Sequence, residues 1–423
     1  MYQEIRVKLL NLLLSLSDAL DLASPQLSQH QMRTAFIAWE IGKQAGLSAD
    51  EENNLFIAAL LHDVGALSPE EKVEIHSVEV EDPEPHTILG EKLLRRVPQF
   101  MTASHIVRRH HTEWRDLDPS DPPAVRRAAQ ILYLADTVER AIDRKRFILH
   151  QAPEVTDYIR SLSGTELQPE YVEIFQDIAI REDFWLDLMS QRLYSVLLNR
   201  GPCQTCEIEV SQLLTISEMF RDMIDFRSRF TATHSSGVAA VAATLSRLFG
   251  FTEPEVEQIE VAGNLHDLGK LVIPTHILSK PGKLTAEEYA LMRQHTYYTY
   301  TILNTIGGIQ HIAEWAAFHH ERLDGSGYPF HLTARQLSIN SRIMAVADVF
   351  TALTEDRPYR ASLSQKEVLS TLQSLASRQW LDINVVSLLE KNHDEVTGIL
   401  HERQAQTRLY FETEFSAPIA VTQ

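Results

Sequence analysis

Cysteine is nearly absent from this chain of 423 residues: only Cys203 and Cys206 occur, in "GPCQTC". With no second CxxC pair and no βαβ pattern around them, they form neither a complete zinc ribbon nor a thioredoxin-like centre, and they read as incidental thiols in a linker. No uninterrupted apolar run reaches the roughly 18–20 residues that a membrane span needs. The opening "MYQEIRVKLLNLLLSLSDALDLASP" has a short apolar heart with acids on both sides, and lacks the basic start and small-residue cleavage site of a signal peptide. An amphipathic first helix is expected there, and the cytoplasm is the expected location. Positive charge is in deficit as well, with 39 Lys and Arg against 58 Asp and Glu, a formal net charge of −19. That balance argues against a nucleic-acid polymer or a membrane as partner. It leaves room for a small phosphate ligand at a site where metal ions reverse the local field.

Strand-like alternation is also scarce. Stretches such as "AVAATLSRLFGFTEPEVEQIEVAGNLHDLG" carry apolar residues at helical intervals, and loops appear as short Pro, Gly and Asp clusters such as "DLDPSDPPAV" and "SKPGKLT". The expected fold class is all-α. The length suits two or three domains.

What is present is a repeat written in histidine. "AALLHDVG" at 58–65 and "AGNLHDLG" at 262–269 are nearly the same phrase. A histidine stands 32 positions upstream of each, His30 before His62 and His234 before His266. Each half has a later pair, His110-His111 and His319-His320, with a lone histidine 24 positions ahead of it, His86 and His295. Each half then enters an apolar stretch holding one acid, Asp136 in "ILYLADTVERA" and Asp348 in "IMAVADVFTAL". A single buried histidine is more often a satisfied core residue than a ligand. The order H…HD…H…HH…D occurring twice, with two spacings kept to the residue, points instead to two helical domains of similar size, joined near residue 200, with metal ligation by the second set.

Imidazole and carboxylate without thiolate suit iron, manganese, zinc or cobalt. Five histidines and two aspartates exceed what one ion needs and fit two ions about 3.5–4 Å apart, with Asp267 as the natural bridge. Such a centre lowers the pKa of a bridging water and clamps phosphate oxygens, so phosphodiester hydrolysis by metal-activated hydroxide is the leading reaction class. Lys270, close after Asp267, can either neutralise a scissile phosphate or protonate the departing oxygen, or simply be a solvated helix-end lysine. The first half has Ala66 at that place.

The second half resembles the HD-GYP family, a branch of the HD phosphohydrolases, from about Thr231 to Arg360. The resemblance is carried by "THS" at 233–235, "HDLGKLVIP" at 266–274, "ILSKPGKLTAEEY" at 277–289, "MRQH" at 292–295, "HHERLDGSGYP" at 319–329 and "RIMAVADVFTALTEDRPYR" at 342–360. It implies two tandem HD-type helical bundles, an HD-like domain over 1–200 without the GYP loop and an HD-GYP domain over 201–423. It further implies hydrolysis of cyclic di-GMP to pGpG or on to GMP, with cyclic GMP-AMP as the alternative substrate. By position, His234, His266, Asp267 and Asp348 would hold a first metal, and His295, His319 and His320 with Asp267 a second. Lys270 would meet the scissile phosphate and Arg357 and Arg360 the ligand's phosphates. Asp324, Gly325, Gly327, Tyr328 and Pro329 form the signature loop, which in the family borders the site and is implicated in contacts with protein partners. Iron or manganese are the expected ions, with zinc, cobalt or nickel as further options, and a homodimer is a further expectation.

This chain departs from the family at three places. Phe230 stands where some members carry a glutamate for a third metal, which favours two. Thr299 replaces the glycine of "HxxxG", which the first half keeps as Gly90, and is expected to narrow the substrate cavity. Thr351 replaces the second acid of "ADVFDAL". Reduced or altered turnover is expected from these changes. The first half keeps all seven ligand positions, His30, His62, Asp63, His86, His110, His111 and Asp136, as a candidate second metal site. Lacking the lysine and the loop, it is expected to regulate or dimerise. Two other readings are open: an effector that binds a cyclic dinucleotide without turnover, and chemistry in the first half on another phosphate ester.

Overall fold

The computed structural model describes residues 5–22, 27–68, 70–72, 84–227, 232–280, 282–355 and 362–415. Helices carry nearly all regular structure, as expected, and the named strands among the described residues are the two-residue Val7–Lys8 and Glu207–Ile208. The chain forms two compact units. The first is built from Lys8–Ala66 and Glu70–Glu207, and the second takes up the chain from Ile208. Among the described residues no helix is long and apolar enough to cross a membrane.

In the first unit α1 (Leu9–Asp21), α2 (His30–Gln44), α3 (Ala49–Leu61), α4 (Glu84–Leu94), α5 (Met101–Arg109) and α6 (Pro123–Arg140) make the bundle, with α2 packed on α3 and α6 and α5 on α3 and α4. The opening segment forms a helix, as expected, and the helix is buried nearly all round. Eleven of the thirteen residues of α1 are buried, and it packs against α2 and α3 as a core element. Four helices complete the unit: α7 (Ile148–Ser161), α8 (Pro169–Ala179), α9 (Glu182–Leu188) and α10 (Leu193–Arg200). Their aromatics are core: Phe184 stacks on Phe36 with ring centroids 5.7 Å apart, and Trp185 meets Phe175 edge-on at 6.1 Å. This layer packs on α2 within the first unit, whereas the sequence suggested a layer between the halves. Cys203 and Cys206 are free thiols, and burial, with Cys206 nearby, pushes the Cys203 thiol up to about 12, which suits the incidental role.

The second unit contains α11 (Val210–Asp225), α12 (His234–Phe249), α13 (Glu253–Leu265), α14 (Thr275–Leu278), α15 (Ala286–Met292), α16 (Gln294–Asn304), α17 (Gln310–Ala317), α18 (Ile339–Thr354), α19 (Gln365–Ser377), α20 (Ile383–Lys391) and α21 (His393–Tyr410). α12 is the central helix, packed on α13, α18 and α21. The helix that ends in the HD pair starts the same way in both units. Ser48 and Glu51 close a capping box on α3, and Thr252 and Glu255 close one on α13. Each cap is worth about 1 kcal/mol to its helix. Capped at one end and buried along the apolar face, the helix delivers His62 or His266 at its other end.

Candidate metal centres

The seven second-half positions converge. Ligand atoms of His234, His266 and Asp348 lie within 4.8 Å of one another, as do those of His266, Asp267 and His319, and those of His295, His319 and His320. Asp267 stands between the groups, with Oδ2 3.2 Å from His266 Nε2 and Oδ1 3.5 Å from His295 Nε2. Asp348 spans as well, Oδ1 lying 3.2 Å from His234 Nε2 and Oδ2 3.7 Å from His320 Nδ1.

Helix ends explain the orientation of three of these rings. The last carbonyls of a helix lack intrahelical donors. Nδ1–H of His266 donates to Gly263 at 2.7 Å, that of His295 to Met292 at 2.7 Å, and that of His319 to Ala316 at 2.7 Å, each carbonyl three residues back at the end of α13, α15 or α17. Each ring therefore turns Nε2 into the site, and for the depressed His295 and His319 it is a bare lone pair, the form that ligates metal. Burial opposes a charge on His266, but Asp267 raises it above the usual imidazole value. The negative ends of helix dipoles gather there too, which favours a cation.

The donors fit a metal pair on an observation of their own. With both Nδ1 atoms protonated, the Nε2 lone pairs of His295 and His319 face each other at 3.4 Å. Two acceptors do not approach so closely without something positive between them. A proton does not serve, because burial pushes His295 down to about 3 and, with the charge of His320 beside it, holds His319 well below the usual imidazole value. Nε2 of His266 is buried and makes no hydrogen bond, Asp267 Oδ2 being near but poorly aligned. Burial opposes the charge on Asp267, yet His266 and Lys270 hold it well below the ordinary carboxylate range.

A cavity of about 560 Å³ opens over the cluster, with Asp267, His320, Asp348, Lys270, Tyr328 and Trp380 on its wall. Lys270 Nζ lies 2.5 Å from Asp267 Oδ2, so it is held on the cavity wall and is not a solvated helix-end lysine. Of the signature loop, Tyr328 reaches the wall, 5.0 Å from the His320 ring between centroids. Asp324, Gly325, Gly327 and Pro329 shape the loop behind it. Gly327 is required there, since a Cβ would fall 2.4 Å from Arg322 N. Phe230, Arg357 and Arg360 lie outside the described residues.

Thr299 does not narrow the cavity as expected. It is buried behind the cluster, where its Oγ1 accepts from Gly269 N at 2.9 Å and donates to His266 O at 3.0 Å, so it braces the HD turn. Thr351 is buried as well, off the cavity wall, and its Oγ1 makes no hydrogen bond.

The first unit repeats the construction. Ligand atoms of His30, His62 and Asp63 cluster within 4.8 Å, as do those of His86, His110 and His111. Asp136 Oδ1 lies 3.4 Å from His30 Nε2 and 3.7 Å from His62 Nε2. Nδ1–H of His62 donates to Ala59 O at 2.8 Å and that of His110 to Val107 O at 2.6 Å. Burial opposes a charge on His30, but Glu139 and Asp136 hold it well above the usual value, so a proton can bridge His30 and His62, whose Nε2 atoms are 3.2 Å apart. Burial pushes His111 down to about 3 and, with the charge of His111, holds His110 well below the ordinary value. A cavity of about 690 Å³ reaches this cluster at His111 and carries Tyr133 and Arg140 on its wall.

Several functional residues escaped the sequence reading. Glu355 accepts from His234 Nδ1–H at 2.9 Å, and Glu139 from His30 Nδ1–H at 2.6 Å. Asp225 accepts from Ser235 N at 2.9 Å and Asp21 from Gln31 N at 3.1 Å, each bracing the helix start that carries the first histidine. Gly269 and Gly65 matter by close approach: a Cβ would sit 1.9 Å from His295 O in one unit and 2.0 Å from His86 O in the other. The aspartates and glycines were detectable, since each recurs at a fixed offset in both halves.

A helical bundle in which a His-Asp pair ends one helix and three further elements converge on it defines the HD type of phosphohydrolase. Family models described as HD domain match residues 218–385 and 27–141. The 3′3′-cGAMP-specific phosphodiesterase 1 of Vibrio cholerae is 28% identical over 93% of this chain and 93% of its own length. Phosphodiesterase 3 of the same specificity and organism is 26% identical over 86% of this chain and 90% of its own. A cyclic di-GMP phosphodiesterase of Thermotoga maritima is 36% identical over 44% of this chain and 51% of its own. The crystal structure of a cyclic GMP-AMP specific phosphodiesterase of V. cholerae has the same fold, with a TM-score of 0.63 at 23% identity, covering 93% of this chain and 98% of that one. The chain belongs to the HD phosphohydrolase family, with two HD domains in tandem.

Proposed function

We propose that the chain is a metal-dependent phosphodiesterase that opens a cyclic dinucleotide, with the chemistry in the second unit and a regulatory or dimerising role for the first. The observation that carries this reading is the facing pair of Nε2 lone pairs, His295 and His319, beneath a cavity that also holds Lys270. His234, His266, Asp267 and Asp348 would hold one divalent ion, and His295, His319, His320 and Asp267 the other. When bound, such a pair supplies the Lewis acidity and positive charge that phosphodiester hydrolysis requires. Asp267 bridges the two ligand groups and keeps its charge at neutral pH. Lys270 is positioned to leave its ion pair with Asp267 for a phosphate oxygen, or to hand its proton to the departing one.

The motifs alone favour cyclic di-GMP. The relatives that match over both halves are named for 3′3′-cGAMP, and that shared two-domain extent favours 3′3′-cGAMP as the preferred substrate. Iron or manganese are the proposed ions, since the donors are imidazole and carboxylate without thiolate. The cytoplasm is the proposed location, and a homodimer and a protein partner on the signature loop are proposed from the family resemblance. The test is product analysis of purified chain, anaerobically loaded with Fe(II) or Mn(II), given 3′3′-cGAMP and cyclic di-GMP. Linear dinucleotide is expected, with 3′3′-cGAMP consumed faster. Tight binding with no product over hours would establish an effector instead.

A further inference from the structure

We propose that Trp380 and Arg322 form the seat for one purine base of the substrate, a reading that rests on the dinucleotide assignment above. Both residues line the cavity that holds Asp267 and Lys270. The Arg322 guanidinium lies flat on the indole, Cζ 3.4 Å from the ring centroid. Trp380 is only half-buried. An indole on a cavity wall with Arg322 at 3.4 Å and Arg378 at 5.6 Å over its ring is unlike the fully buried core aromatics. It is the combination on which nucleobases stack, since every base has a π-face and Arg adds a planar cation and a fork of donors for the base edge.

The turn that presents the indole is built for position. α19 ends with Gln379 in the left-handed region, φ 59°, where glycine is usual. Trp380 N–H then donates to Leu375 O and Gln379 N–H to Ala376 O, both at 3.0 Å, closing the helix end. Gln379 O accepts from Asp324 N at 3.0 Å, which ties the turn to the signature loop. The Asp324 carboxylate is held below its usual range chiefly by the Ser326 backbone and hydroxyl, and in smaller part by the Trp380 indole. Asp324, absent from the cavity wall, thus bears on the Trp380 turn through its backbone hydrogen bond to Gln379. Tyr328, on the wall of the same cavity, lies under Arg293, 4.7 Å from Cζ to the ring centroid.

The experiment measures binding of non-hydrolysable bisphosphorothioate analogues of 3′3′-cGAMP and of cyclic di-UMP to the full, Mn(II)-loaded chain. Wild type is expected to hold the purine analogue about 10-fold tighter than the pyrimidine one. Trp380→Leu should remove most of that preference and Trp380→Phe should keep most of it, with metal per chain as the check on folding. Arg322→Met, which keeps apolar cover on the indole, should lower the preference about threefold. A Trp380→Leu chain that keeps its metal and its full purine preference overturns the subsite. Failure of wild type to hydrolyse authentic 3′3′-cGAMP or cyclic di-GMP overturns the functional reading separately, and wild type that binds neither analogue overturns both.

Discussion

Nδ1 of His234 lies 2.9 Å from Oε2 of Glu355, and the same carboxylate accepts from Gln404 Nε2 at 2.6 Å. A carboxylate has no hydrogen to give, so the imidazole donates from Nδ1 and its Nε2 is turned to Asp348, 3.2 Å away. The first unit orients His30 in the same way with a different residue, Glu139, itself held by Arg144 at 2.6 Å. Glu355→Ala is expected to weaken metal binding to the second unit about 10- to 100-fold, measured by competition with a chromogenic chelator. Glu355→Gln, which can still accept the hydrogen bond, should lose less. Equal affinity in Glu355→Ala and wild type would leave Glu355 with no part in the site.

Lys270→Ala is expected to lower kcat for the dinucleotide about 10²- to 10³-fold while metal content stays at the wild-type level. The position faces the cavity and contacts no imidazole at hydrogen-bond distance, so the loss should appear in turnover and not in metal affinity.

The His86 and His110 Nε2 atoms lie 3.4 Å apart, and His110, whose Nδ1–H is given to Val107 O, offers a lone pair at that contact. The first unit is therefore expected to take up metal of its own, bringing the chain to about four ions by elemental analysis. His62→Ala combined with His110→Ala should return the count to about two. A wild-type count of about two would leave the first cluster to a proton, which His30 is placed to carry.

Burial pushes the Asp225 carboxyl up to about 6, against the pull of His234 and of its hydrogen bonds from Ser235. The fold thus favours the neutral acid. This stabilisation is complete below the ordinary value near 3.8 and is lost as pH rises through about 6. Asp267 and Asp348, both depressed, act in the opposite sense and lose their contribution as pH falls. In chelated, metal-free protein the stability of wild type relative to Asp225→Asn should fall by roughly 2 kcal/mol between pH 4 and pH 6.5. A difference that does not change with pH would show that Asp225 titrates normally.

The metal-ligand pattern was legible because helix geometry turns spacing into place. A histidine 32 residues before the HD pair and another 24 before the HH pair recur only where two helices must arrive at one point from the same directions. Glu355 and Glu139 were not legible, since one stands seven residues after the aspartate and the other three, supplied by different turns of the chain. Thr299 was misread because its place on α16 faces the HD turn and not the cavity. α1 was legible as a helix but its burial was not, because its few polar residues do not mark a solvent face: Ser15, Ser17 and Asp21 are buried with the leucines. Trp380 sits outside every repeated motif, and only the stack with Arg322 draws attention to it.

The most direct measurement is dinucleotide hydrolysis by Mn(II)-loaded Asp267→Ala compared with Asp63→Ala, the equivalent bridge position of the first unit. Asp267→Ala should abolish linear product and Asp63→Ala should leave its formation in place. Equal loss from both, or loss from Asp63→Ala alone, would contradict the assignment of the chemistry to the second unit.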